Sequence, residues 1–216
     1  MIPKLSKFWL WVEFTGAFII LPFVLFMFRY RLRRMVIPLL LIGLIVFLGL
    51  LWRDPSFDRR RFGLPDGWMS HVRAIISRLI LGGTLVMFIV RLAEPHLMFS
   101  FIRNAPKIWI VVMILYPLVS VYPQEIIYRA FFFHRYSCLF LRPWQMIVAS
   151  GLSFGLVHIF FFNPWAIGLS CIGGILFAAT YHRSGSIVLS TIEHGLWGDF
   201  IFTVGIGAYF YSGAIG

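Results

Sequence analysis

Apolar residues in this chain fall in long runs separated by short charged clusters. Seven runs stand out: Phe8–Phe28, Met35–Trp52, Ala74–Val90, Ile108–Arg129, Trp144–Phe162, Trp165–Tyr181 and Ile187–Phe210. At about 1.5 Å of rise per residue, each comes close to or spans the roughly 30 Å of a bilayer's hydrocarbon, the second and third being the shortest. The period-two segments of about 10 residues that mark an outer-membrane barrel are absent. The pattern predicts an all-α, polytopic transmembrane helix bundle of about seven helices. It divides into N-terminal helices with a basic loop (residues 1–106) and a C-terminal core (residues 107–216) that holds a polar site between its helices. Pro117 and Pro123 are expected to interrupt the fourth run, because proline removes a helical hydrogen bond. The longest polar stretch, Arg53 to Arg73, carries Asp54-Pro55 and Pro65-Asp66-Gly67 turn signals and reads as a solvated surface loop.

Composition supports the membrane reading. Hydrophobic residues make up 60% of the chain and charged residues only 12%, against about a quarter charged in an ordinary soluble domain. The net charge of +11 would suggest a nucleic-acid partner in a soluble protein. Here most Lys and Arg flank apolar runs and no nucleic-acid motif is present, so lipid headgroups and topology account for them. The partners expected are the lipid bilayer and a membrane-associated polypeptide, with no nucleic acid. Cys138 and Cys171 have no metal-type spacing and are expected to be buried free thiols. Lys4 and Lys7 precede an apolar run that lacks a small-residue cleavage site, so the run reads as a first transmembrane helix and not as a signal peptide.

Ionisable groups at membrane depth are functional candidates by default. Three groups occur, all in the C-terminal half. In the first, Gln124-Glu125-Ile126-Ile127-Tyr128-Arg129, Glu125 and Arg129 lie four apart on one helix face and can pair. In the second, His158 lies four residues after Phe154, with Gly151 and Gly155 forming a smooth stripe for a neighbouring helix. The third concentrates Glu193, His194 and Asp199 in the last apolar run. Asp199, five residues past His194, is rotated by about 140° from it unless Gly198 permits a bulge.

Taken singly, the groups read as an ion pair locking two helices, an interhelical hydrogen bonder and a packing cluster. Together they offer a carboxylate with an Arg partner and two imidazoles. That set suits a water-activating site with an oxyanion donor. It equally suits a two-His-one-carboxylate metal shell of Glu125, His158 and His194, with zinc the natural ion. A transporter would use similar acids, but no inverted repeat is visible.

In order and spacing the three groups resemble the CAAX-protease and bacteriocin-processing family of intramembrane endopeptidases. Its motifs are Glu-Glu-x-x-x-Arg, Phe-x-x-x-His and His-x-x-x-Asn or His-x-x-x-Asp. The likeness covers about Ile108 to Phe202. It implies a protease in which Glu125 and His158 activate water, Arg129 supports the glutamate and His194 donates to the oxyanion, with no metal required. Gln124, Phe154, Glu193 and Asp199 would support the site. Two positions depart: Gln124 stands where the family has its first Glu, moving the base role to Glu125, and Gly198 stands at the Asn/Asp position, with Asp199 one residue later. A catalytically inactive relative that acts as a membrane scaffold is the alternative function. The expected location is a bacterial inner (plasma) membrane, multi-pass and integral.

Overall fold

The computed structural model describes residues 6–210, so Lys4 and the C-terminal residues after Phe210 lie outside the described residues. Each apolar run sits on a long helix. We label these α1 (Lys7–Met27), α2 (Val36–Arg53), α3 (Trp68–Ala93), α4 (Pro106–Leu139), α5 (Pro143–Phe161), α6 (Pro164–Ser184) and α7 (Ile187–Val204). No strand occurs among the described residues. The first six are long and apolar enough to cross a membrane. Helix α7 spans 18 residues but falls outside that set, because Glu193, His194 and Asp199 dilute its apolar character. Its Glu193 and His194 are buried inside the bundle instead.

The bundle has an inner and an outer part. Only 6% of the most apolar window of α2 is buried, against 39% for α5 and for α6. Helix α2 therefore keeps most of its apolar surface for lipid, while α5 and α6 pack inside. Glycines bring those two together. A β-carbon at Gly151 would lie 2.7 Å from the Ile175 backbone nitrogen, and one at Gly174 would lie 2.8 Å from the Gly151 carbonyl oxygen. This is the close approach expected of the Gly151/Gly155 stripe. At the end of α5, Phe162 turns left-handed and the Asn163 side chain accepts hydrogen bonds from the Trp165 and Ala166 amides at 2.9 and 3.3 Å, starting α6.

Helix α4 differs most from expectation. Neither proline ends it, and it continues ten residues past Arg129, to Leu139. The chain instead takes wide π turns at Pro117–Val121 and Ile126–Phe131, with a short α stretch, Tyr122–Glu125, between them. Such turns absorb a missing hydrogen bond without breaking the rod, and they re-aim the side chains that follow. They flank Glu125 on both sides.

Two further expectations need correction. The polar stretch after α2 is mostly exposed, as a surface loop should be, but it ends earlier than expected, since α3 starts at Trp68, and it is anchored to the bundle. Asp54 and Phe57 are buried, Ser56 donates to Asp54 Oδ1 from both its amide (3.0 Å) and its hydroxyl (2.8 Å), and the Ser186 hydroxyl donates to the Gly63 carbonyl at 2.7 Å. Both cysteines are free, but Cys138 is exposed and Cys171 is only partly buried: Cys138 lies in the turn that closes α4, outside the packed interior.

Candidate active site

Glu125 is fully buried on α4. Its Oε1 lies 2.9 Å from His194 Nδ1 on α7. Its Oε2 lies 3.3 Å from Arg129 Nε, one turn along α4. An ionised carboxylate only accepts hydrogen bonds, so Nδ1 of His194 carries the proton and Nε2 presents a lone pair. On that side the Tyr116 hydroxyl lies 3.5 Å from Nε2. The first and third motifs thus meet directly, carboxylate to imidazole, across two helices.

Arg129 has no exposure to solvent. Its Nη2 donates to the Gly174 carbonyl at 3.3 Å, and its guanidinium lies over the rings of Phe154 (4.7 Å) and Phe177 (5.6 Å). Nε faces the carboxylate without an aligned hydrogen bond. The charge is therefore held by Coulombic attraction and by two ring faces. The same rings hold His194: Phe177 stacks on it at 4.5 Å and 15°, and Phe154 meets it edge-on at 5.2 Å and 90°.

His158 lies where α5 tightens into a final 3₁₀ turn. Its Nδ1 lies 2.7 Å from the Phe154 carbonyl oxygen, which can only accept, so Nδ1 is the protonated nitrogen and Nε2 again offers a lone pair. Its ring packs against Phe154 at 4.7 Å. The imidazole that donates to the Glu125 carboxylate is thus His194 and not His158, whose Nδ1 is already held by the backbone carbonyl one turn back. Gln124 is buried beside this centre, and its amide nitrogen donates to the Ser120 carbonyl and hydroxyl oxygens, each at 2.9 Å.

The alternative metal shell of Glu125, His158 and His194 does not fit. Among the described residues no group of three or more His, Cys, Asp or Glu is arranged to hold a metal ion. The reason is local: one oxygen of Glu125 takes the His194 proton and the other faces Arg129. Glu193 points elsewhere. Its Oε1 lies 2.9 Å from Arg78 Nε on α3, while Arg78 Nη2 donates to the Thr180 hydroxyl at 2.8 Å. This cluster ties α3, α6 and α7 together through side chains that take no part in the Glu125–His194 bond. Helix α7 runs through Gly198 without a bulge, so Asp199 does not share the face of His194, and its buried Oδ1 has no hydrogen-bond partner.

Sequence reasoning missed Tyr116, Phe177 and Arg78. Arg78 carried a usable signal, an arginine inside an apolar run. Tyr116 and Phe177 carried none, being aromatics in aromatic-rich helices. A second ion pair was missed as well: Arg135 near the end of α4 pairs with Glu13 of α1 at 2.9 and 2.6 Å, and the Tyr136 hydroxyl joins it at 2.9 Å. A cavity of about 510 Å³ lined by Arg61, His134, Arg142, Tyr181 and His182 lies at the end of α4, and no candidate site residue lines it.

Comparison with known proteins bears on the same segment. No curated protein and no solved structure matches the chain. A family model described as Rce1-like, type II CAAX prenyl endopeptidase Rce1-like, matches residues 106–198. That span runs from the start of α4 to Gly198 and contains Gln124, Glu125, Arg129, Phe154, His158 and His194. The match and the resemblance of the three motifs agree on one segment: residues 106–198 are similar to the type II CAAX prenyl endopeptidase Rce1-like family.

Proposed function

We propose that this protein is an intramembrane endopeptidase that hydrolyses a peptide bond in a membrane-associated polypeptide. The observation that carries the reading is the buried 2.9 Å bond between Glu125 and His194 Nδ1, within the segment matched by the family. In this reading His194 Nε2 is the general base. It takes a proton from water as the water oxygen attacks the scissile carbonyl carbon. Glu125 holds the tautomer and stabilises the imidazolium that forms. The imidazolium then returns the proton to the leaving nitrogen as the carbon–nitrogen bond breaks. His158, with Nδ1 held by the Phe154 carbonyl, accepts a hydrogen bond at Nε2 from the second O–H of the attacking water and orients it, while that hydrogen stays on oxygen. Arg129 keeps Glu125 ionised in a dry interior. No step needs a metal.

This assignment moves the base from the glutamate to the imidazole it orients. It also removes the difficulty at position 124, where Gln124 is a hydrogen-bond donor to Ser120 and has no proton to take. The test is cleavage of a quenched-fluorescence farnesylated CAAX peptide by the purified protein in micelles, with the unprenylated peptide as control. The wild type is expected to cleave, and His194→Ala and His158→Ala are expected to lose turnover while still folding. Cleavage of both peptides alike would widen the substrate class beyond prenylated chains.

One observation favours a second reading, an inactive relative that scaffolds a membrane partner: the first carboxylate of the family motif is an amide here, committed to Ser120. In that case Glu125→Gln leaves the cellular phenotype intact.

A further inference from the structure

Helix α7 carries no side chain four residues beyond His194, on the face that His194 presents. Position 198 is glycine, and the reason lies on α4. A β-carbon at Gly198 would lie 2.7 Å from Tyr116 Cζ and closer still to the ring's Cε1. The phenol of Tyr116 therefore fills the volume that a side chain at 198 would take. Its ring stands edge-on to His194 (6.4 Å, 80°) and to Phe202 (5.1 Å, 73°), which fixes its direction. Its hydroxyl ends 3.5 Å from His194 Nε2, the atom that bears a lone pair.

We propose that the Tyr116 hydroxyl is the donor that stabilises the oxyanion at the scissile carbonyl, supplied from α4 into space that α7 leaves empty at Gly198. The inference rests on the hydrolytic reading above. The attacking water and the carbonyl it strikes must both lie near Nε2, so a donor beside Nε2 is beside the reacting carbon. A separation of 3.5 Å is well beyond the roughly 2.7–2.8 Å of a formed O–H hydrogen bond. The hydroxyl is close enough to be aimed and loose enough to transfer its hydrogen bond to an oxygen arriving between them. Such donors matter because the charge they meet exists only in the transition state. The aromatic packing of Tyr116 keeps its orientation in place beforehand.

The experiment uses the full chain and the farnesylated quenched peptide. Tyr116→Phe keeps the ring and removes the donor. It is expected to lower kcat by about 10²–10³ with KM within about threefold, at an unchanged melting temperature. A reciprocal swap guards against a purely structural effect. Gly198→Asn alone is expected to clash with the ring and unfold at lower temperature. Combined with Tyr116→Ala, it places an amide donor in the vacated space and is expected to recover at least tenfold of the turnover that Tyr116→Ala loses. Wild-type kcat in Tyr116→Phe overturns this inference alone. Absence of cleavage by the wild type removes the hydrolytic reading and takes this inference with it.

Discussion

Replacing Glu125 by Gln separates the two roles that its position allows. Glu125 and Arg129 are both without solvent exposure, so the amide leaves a buried guanidinium uncompensated. Removing one partner of a buried pair costs about 3–5 kcal/mol. The amide also withdraws the carboxylate behind His194 Nδ1, which in the worked serine-protease case costs about 10⁴ in kcat, or roughly 5 kcal/mol of barrier at 1.36 kcal/mol per tenfold. The single variant alone does not tell these losses apart. Glu125→Gln combined with Arg129→Met does, because it deletes the orphaned charge while filling much of the same volume between Phe154 and Phe177. Thermal unfolding in micelles should show most of the lost stability regained. Turnover per folded molecule, read with the quenched peptide, should stay about 10⁴ below wild type. Turnover that returns together with stability would mean that Glu125 is only a counter-ion for Arg129, and the proposed dyad would fall.

Other outcomes can be checked in the same preparations. Gln124→Glu should gain no turnover and should lose about 1–3 kcal/mol, because it removes the donor to Ser120 and adds a buried acid; a rise in kcat would return the base role to position 124. Arg78→Met should destabilise through the stranded Glu193 yet leave turnover per folded molecule within about threefold, since Arg78 itself makes its contacts to Glu193 and Thr180 and none to Glu125 or His194. Gly151→Leu should prevent close packing of α5 on α6, and normal melting of this variant would contradict the seam. Outside the membrane, burial would raise the Asp54 carboxyl, but the two Ser56 hydrogen bonds and the contact with His134 outweigh it and hold the group at about 2, below its ordinary 3.8. A depressed acid stabilises above its unfolded pKa and loses that contribution as pH falls through the folded one. The stability gap between wild type and Asp54→Asn should therefore be flat down to about pH 4 and close between about 4 and 2; a gap that persists at pH 2 contradicts the assignment.

Helix existence was legible in the sequence because a bilayer demands long uninterrupted apolar runs, and each run lies on a long helix. Boundaries were legible where a local device sets them, as at Asn163-Pro164. They were not legible in α4, where proline usually means a break but here gives a π turn. The members of the site were visible because ionisable residues at membrane depth are rare. Their pairing was not. Spacing along α4 joined Glu125 to Arg129, but nothing in one dimension says whether the free oxygen of Glu125 meets His158 or His194. That is decided by the backbone carbonyl of Phe154, which holds His158 Nδ1 at 2.7 Å. Tyr116 was invisible for a related reason: its role depends on an absence, the missing side chain at Gly198, which has meaning only once α4 and α7 are seen side by side.

The three polar groups also share one apolar residue, which explains how separate helices hold a single geometry. Phe154 lies 4.7 Å beneath the Arg129 guanidinium, 5.2 Å edge-on to His194 and 4.7 Å from the His158 ring, and its own carbonyl sets the His158 tautomer. A leucine there would preserve burial but offer no ring face to the cation and no edge to the imidazole. The loss expected for Phe154→Leu is therefore larger in kcat than in melting temperature, because three orientations loosen at once while the helix stays packed. If turnover and melting temperature fall together in this variant, the ring only fills space, and the geometry of the site has another source.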